Sequence, residues 1–198
     1  MFSEHVHSGR RMQRELTAQR VIASAQMLFR RDGFRSTTIR AIAADAEVSV
    51  GTVMAVGDKD ALLLACYDRW IGAVHADRDA GRLAEPPGLT PQQRIGELIA
   101  PFLDLFSEDL PLAREYGSVL ARGSHHTEVF ADLAISLVDA FTEVFRDAGL
   151  GSRATAAGRA VYLAYLGLLM ATAAAAVDTT GIRSQLEDVA DVLLGGAG

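Results

Sequence analysis

The sequence predicts an all-α fold in which a small basic N-terminal module precedes a larger acidic body. Three observations lead there. Apolar residues recur three and four positions apart along almost every segment, the repeat of a helix face. No stretch sustains the alternation of apolar and polar residues that marks a half-buried strand. The charge is also split: residues 1–44 carry a net +5, whereas the 198-residue chain carries −6, which leaves −11 on the remaining 154 residues.

Taken in order, residues 1–15 read as a basic arm bearing Arg10, Arg11 and Arg14. From Thr17 onward, Val21, Ile22, Ala25, Leu28 and Phe29 share one helical face, and Gly33 stands where a left-handed C-terminal residue is expected. Ile39, Ile42, Ala43 and Ala46 form a shorter pattern behind Thr37 and Thr38, either of which can cap it, and Ser49 precedes a third helix over 50–56. Asp58 caps a longer helix that buries Leu62, Leu63, Cys66, Tyr67, Trp70, Ile71 and Val74 and runs to about residue 79. Gly81, Pro86, Pro87 and Gly88 give residues 81–90 the composition of a linker. Beyond it, Thr90 as cap, Pro91 in the first helical position and Gln93 three after the cap open a helix that Pro101 is expected to break or kink. Further helices are expected at about 111–122, 125–148, 152–177 and 181–194. The division that follows is a basic arm at 1–15, a small helical module at 16–62 and a larger helical domain at 63–198.

Composition narrows the function. With 49% apolar and 22% charged residues the chain has the balance of a folded, water-soluble protein. A single cysteine, Cys66, allows no intrachain disulfide, and no apolar run of signal length opens the sequence, so a cytoplasmic location is expected. Residues 160–177 lack charge and reach the lower edge of membrane-spanning length. The alanines at the end of that stretch contribute little transfer energy and Tyr162, Tyr165 and Thr172 are polar, so a buried helix is expected and no membrane partner. An enzyme has little support: no glycine-rich phosphate loop follows a strand, Cys66 has no evident activating partner, and no paired carboxylates stand out. Neither a cofactor nor a metal is implied. The adjacent His125 and His126 with Glu128 point to different helix faces, so one site would need other ligands.

Three helices in about forty residues, the last two short and joined by Ala46-Glu47-Val48-Ser49, fit a helix-turn-helix. Packing Ile39, Ile42, Val48 and Val53 inward leaves Ser49, Gly51 and Thr52 facing out, a lean surface suited to a major groove about 12 Å wide.

These residues resemble the TetR-type transcriptional regulators. The likeness runs from about Thr17 to Leu64 and rests on Ala25, Phe29, Gly33-Phe34, Thr37-Thr38-Ile39, Ile42-Ala43, Ala46, Val48-Ser49, Gly51-Thr52-Val53 and Lys59-Asp60-Ala61-Leu62. It implies an α-helical homodimer with an N-terminal DNA-binding module and a C-terminal domain that binds a small molecule and pairs through its last two long helices, near 152–177 and 181–194. DNA contact is carried over onto Thr38, Arg40, Ser49, Gly51, Thr52 and Lys59, with Val50 and Met54 for apolar contact with thymine methyls. Three departures accompany it. Glu47 stands where the family usually has glycine, Met54 replaces the usual tyrosine, and Val56-Gly57-Asp58 is one residue short. The third helix has no basic residue, so phosphate attraction falls to Arg40, Lys59 and Arg35, with Arg10, Arg11 and Arg14 as an arm reaching the minor groove.

For the second domain, Phe102, Phe106, Tyr116, Tyr162, Tyr165 and Met170 are the expected lining of an effector cavity, with Arg114, His125 and His126 as polar anchors. Ile182, Leu186, Val189 and Leu193 form a narrow stripe for a two-fold partner. The function expected is a repressor that binds a palindromic operator as a homodimer and is released by a small apolar or aromatic effector. The alternative is a helical small-molecule-binding protein that has lost sequence-specific DNA binding.

Overall fold

A computed structural model describes residues 3–83, 86–123, 128–173 and 181–195, and among them there are helices and no strand. The chain divides into two compact units, Met1–Tyr67 and Asp68–Gly198.

The first unit holds α1 (Ser3–Asp32), α2 (Ile39–Asp45), α3 (Val50–Val56) and the start of α4 (Lys59–Asp79). Its core is Val21, Ala25, Leu28 and Phe29 from α1, Ile42 and Ala43 from α2, Val53 from α3, and Leu62, Leu63 and Cys66 from α4. Helix α1 begins well before the expected Thr17, so the segment read as an arm is its opening turns. Apolar periodicity starts only at Val21, but arginine, glutamine, methionine and leucine all favour helix without needing a core. Gly33 ends α1 at φ 82°. The buried hydroxyl of Thr37 donates to the carbonyls of Leu28 and Gly33, at 3.2 and 2.9 Å, and Thr38 takes the capping role on α2.

The second unit contains the rest of α4, α5 (Pro91–Glu108), α6 (Leu110–Arg122), α7 (Glu128–Asp147), a 3-10 turn (Gly151–Arg153), α8 (Ala154–Ala173) and α9 (Ile182–Gly195). Thr90 and Gln93 form the expected reciprocal cap of α5. Pro101 does not break this helix, which runs on to Glu108. The missing amide is offset by burial of Leu98, Ile99, Phe102 and Leu103; separately, the Leu98 carbonyl accepts from the Arg78 guanidinium. Helix α7 packs on α8, and α5 on α9. Gly158 permits the first contact: a Cβ there would stand 2.8 Å from the Thr142 amide nitrogen. Across the second, Arg183 pairs with Glu97 at 2.6 Å, and along α9 itself with Glu187 at 3.1 Å.

Two expectations about the last helices change. The helix expected to be buried over 160–177 is buried only in part: α8 packs against α6, α7 and α9 and buries Ala157, Val161 and Tyr165, but Leu163 and Met170 are exposed, and Gly151–Ala171 is apolar and long enough to cross a membrane. On α9, Ile182 and Leu186 join Ala190 in the chain's own core and are closed to a partner, while Val189 and Leu193 are half-buried and Val192 is exposed. The periodicity identified a buried stripe correctly but not what covers it.

Candidate functional site

In the first unit the site is a helix-turn-helix made of α2 and α3. Helix α2 ends at Ala46; the Val48 amide reaches back to the Ala43 carbonyl at 3.0 Å and the Glu47 amide to the Ala44 carbonyl at 3.3 Å. This pair of bonds is the Schellman closure, which needs a left-handed residue at Glu47. Glu47 adopts it at φ 53°, the one positive-φ residue other than glycine among the described residues. The turn geometry is thus kept without glycine, at a cost of about 1–2 kcal/mol.

The chain then re-enters a helix at Ser49, whose hydroxyl accepts from the Thr52 amide at 3.0 Å and lies 2.8 Å from the Thr52 hydroxyl. Val53 is fully buried against α1 and α2 and orients α3. Its other side presents Ser49, Val50, Gly51 and Met54, all exposed, with Thr52 half-buried beside them. Thr38 is exposed while capping α2 through the Ala41 amide at 3.1 Å, and Arg40, two residues on, is exposed as well. A Cβ on Gly51 would meet nothing closer than the Ser49 hydroxyl at 3.7 Å, so the surface is lean because the residue is small and not because a neighbour fills the space.

Lys59, expected to contact phosphate, is held within its own unit. Its ammonium donates to the carbonyls of Thr37 at 3.0 Å and Arg35 at 3.3 Å and sits over the Phe34 ring. It ties the start of α4 to the loop between α1 and α2. The basic segment is helical and not an extended arm. Arg10, Arg11 and Arg14 lie on a helix, and a helix about 10–12 Å across cannot enter a minor groove about 6 Å wide.

In the second unit an apolar cavity of about 50 Å³ lies among α4, α5, α7 and α8. Each helix contributes residues one turn apart: Ile71 and His75, Phe102 and Phe106, Ala134 and Leu137, and Tyr162, Tyr165, Leu166 and Leu169. Four of the six residues expected from sequence are brought together here. Tyr116 lies behind the wall, its ring 6.1 Å from that of Phe106, and Met170 is exposed. Arg114 is exposed, and His125 and His126 lie outside the described residues.

Sequence reasoning missed His75. Its spacing from Ile71 was the available signal, but a lone histidine in an apolar stripe does not announce a cavity. The imidazole packs 5.0 Å from the Phe102 ring, and burial, with Arg78 nearby, lowers its pKa below the ordinary histidine value. Burial raises the phenols of Tyr162 and Tyr165 above theirs. Away from the cavity, Asp68 has one carboxylate oxygen buried without a hydrogen-bond partner, and burial pushes its pKa up to about 6. Among the described residues no three side chains could together hold a metal ion.

The described residues thus combine a helix-turn-helix with a lean outer face and a helical unit that encloses an apolar cavity. Residues 21–66 match the family described as bacterial regulatory proteins, tetR family, and the chain carries that DNA-binding domain on a TetR-type fold. Among solved structures it is similar to Thermus thermophilus FadR, a TetR family transcriptional repressor, in complex with lauroyl-CoA (24% identity, 90% of this chain and 94% of that one, TM-score 0.64). A TetR-like transcriptional regulator from Rhodococcus sp. RHA1 is similar over 91% of this chain and 96% of its own (24% identity, TM-score 0.56). The SmeT–triclosan complex is similar over 91% of each chain (22% identity, TM-score 0.53). No curated protein matches the sequence.

Proposed function

We propose that this protein is a ligand-responsive repressor that binds a palindromic operator as a homodimer and releases it when a small apolar or aromatic molecule occupies the cavity of the second unit. The observation that carries this reading is the outer face of α3, where Ser49, Gly51 and Met54 are exposed on a helix anchored by buried Val53. Thr38, Arg40, Ser49, Val50, Gly51, Thr52 and Met54 form the DNA surface in this reading. The presence of lauroyl-CoA and triclosan in two similar structures supports a small-molecule occupant. Exposed Leu163 and Met170 on α8 and Val192 on α9 support a second copy as the cover of that face, setting the two α3 helices about 34–36 Å apart.

Electrophoretic titration against the DNA flanking its own gene tests the proposal. With about 4–6 phosphates neutralised per dimer, log affinity should fall against log salt with a slope near −4 to −5. An effector that releases DNA must also bind the DNA-bound protein more weakly by the same factor, because coupling is reciprocal. Absence of saturable, salt-dependent binding would instead favour a helical small-molecule-binding protein without DNA recognition. The engagement of Lys59 within its own unit supports that second reading.

A further inference from the structure

The positive charge of the first unit does not lie on its helix-turn-helix. Residues 39–56, which hold α2, the turn and α3, carry one arginine, Arg40, against Asp45 and Glu47, a net charge of −1. The Lys59 ammonium is engaged by two carbonyls and the Phe34 ring. Attraction to a duplex grows with the number of phosphates that cations neutralise, so a surface of this sign needs cations from elsewhere. They stand on α1, which carries six arginines, Arg10, Arg11, Arg14, Arg20, Arg30 and Arg31.

Two of the six are aligned with the core. Arg14 and Arg10 precede Val21 by seven and eleven residues, close to two and three full turns, so all three share one side of α1. Val21, with Ala25 and Leu28, faces the core that Ile42 of α2 and Val53 of α3 complete. Past the end of that core the same side presents Arg10 and Arg14, both exposed. Arg11 and Arg20 are each one residue off this line and lie on other sides of the helix. Packed helices lie about 8–10 Å apart and a major groove is about 8.5 Å deep, so the rim phosphates of a groove holding α3 come back level with α3 itself, within an arginine's length of α1.

We propose that Arg10 and Arg14 bind backbone phosphates of the duplex just outside the base pairs under α3, and that this sequence-independent contact supplies most of the electrostatic hold on DNA. The proposal rests on reading α3 as the recognition helix. Together with Arg40, the two arginines bring a pair of subunits to the upper end of the about 4–6 phosphates expected for the dimer. An anionic bilayer fits the segment less well. Among the described residues, the opposite side of these turns offers it only Met12 and Leu16, well short of the apolar face that an interfacial helix buries.

The test follows fluorescence anisotropy of two labelled duplexes, one of random sequence and one from the DNA flanking the protein's own gene, titrated with the whole protein over a series of salt concentrations. Arg10→Gln with Arg14→Gln removes both charges and keeps a good helix former at each position. On the random duplex this variant should bind at least tenfold more weakly and, with two subunits engaged, its slope of log affinity on log salt should be shallower by about 3–4. Arg11→Gln with Arg20→Gln removes the same charge from other sides of α1 and should change the slope by less than about 1. Equal losses in the two variants would reduce the contact to bulk charge and overturn the proposal. So would an unchanged slope in the first variant, or a failure of the unaltered protein to bind the random duplex. Phosphatidylglycerol vesicles are the third probe: binding to them that falls in the first variant while duplex binding holds would assign the arginines to a membrane instead. The recognition reading is scored separately, by the unaltered protein's preference for the DNA flanking its own gene over the random duplex. No preference, with a slope that depends on Arg10 and Arg14, removes the regulator and keeps the proposal; a preference with an unchanged slope does the reverse.

Discussion

The ammonium nitrogen of Lys59 lies 4.4 Å from the centroid of the Phe34 ring. With its two carbonyl acceptors, Arg35 and Thr37, this makes the first residue of α4 a tether for the loop that launches α2.

Lys59→Met should therefore act on stability before it acts on DNA. The lost cation–π contact and hydrogen bonds are together worth about 1–2 kcal/mol. For a chain of this size the melting temperature should fall by about 2–8 °C, with the salt slope of DNA binding unchanged. An unchanged melting temperature with a slope smaller by about 1 would make Lys59 a phosphate contact.

Gly51→Ala should move stability and DNA affinity in opposite directions. The new methyl group meets only open surface near the Ser49 hydroxyl, and alanine in a helix is favoured over glycine by up to about 1 kcal/mol. On the proposed DNA surface the same methyl would intrude where α3 meets the groove floor. A higher melting temperature with at least tenfold weaker operator binding is expected; unchanged binding would take α3 out of the groove.

Glu47→Gly should stabilise the first unit by about 0.5–1 kcal/mol, since relief of left-handed strain exceeds the entropy that glycine adds to the unfolded chain. Denaturant titration reads this directly as a higher midpoint at constant m-value. A lower midpoint would mean that the Glu47 side chain contributes more than its backbone costs.

Asp68 gives the fold a pH dependence of definite sign. Its folded pKa is raised from 3.8 to about 6, so the folded state takes up the proton first. The contribution is full below pH 3.8 and is lost as the pH rises through about 6. Discounted for the part of the carboxyl that water screens, it amounts to about 1 kcal/mol. Asp68→Asn should raise stability at pH 7 by that amount and flatten the difference between pH 4 and pH 6. Equal slopes for both proteins across that range would place the carboxyl in contact with water.

Most of the fold was legible because helices announce themselves locally. The Thr38, Ser49 and Thr90 caps and the Gly33 terminator fall where side-chain chemistry put them. The failures share a cause: local sequence does not say what lies across the space. Pro101 looked like a break or kink because its lost amide is visible in sequence, whereas the buried neighbours that carry α5 on past it are not. Residues 3–16 looked like a free arm because a helix without a core has no periodicity to display. The cavity showed the same limit. Aromatic residues pointed to Phe102, Phe106, Tyr162 and Tyr165, but nothing in the chain separated those from Tyr116, one layer behind, or singled out His75 on another helix.

Lys59 is also the sole lysine in the chain. An amine-directed label has one side chain to find, and that side chain is enclosed by two carbonyls and an aromatic face. Acylation rate at this position is thus a reporter of how often the start of α4 lets go of the turn beneath it, readable by mass spectrometry without altering a single codon.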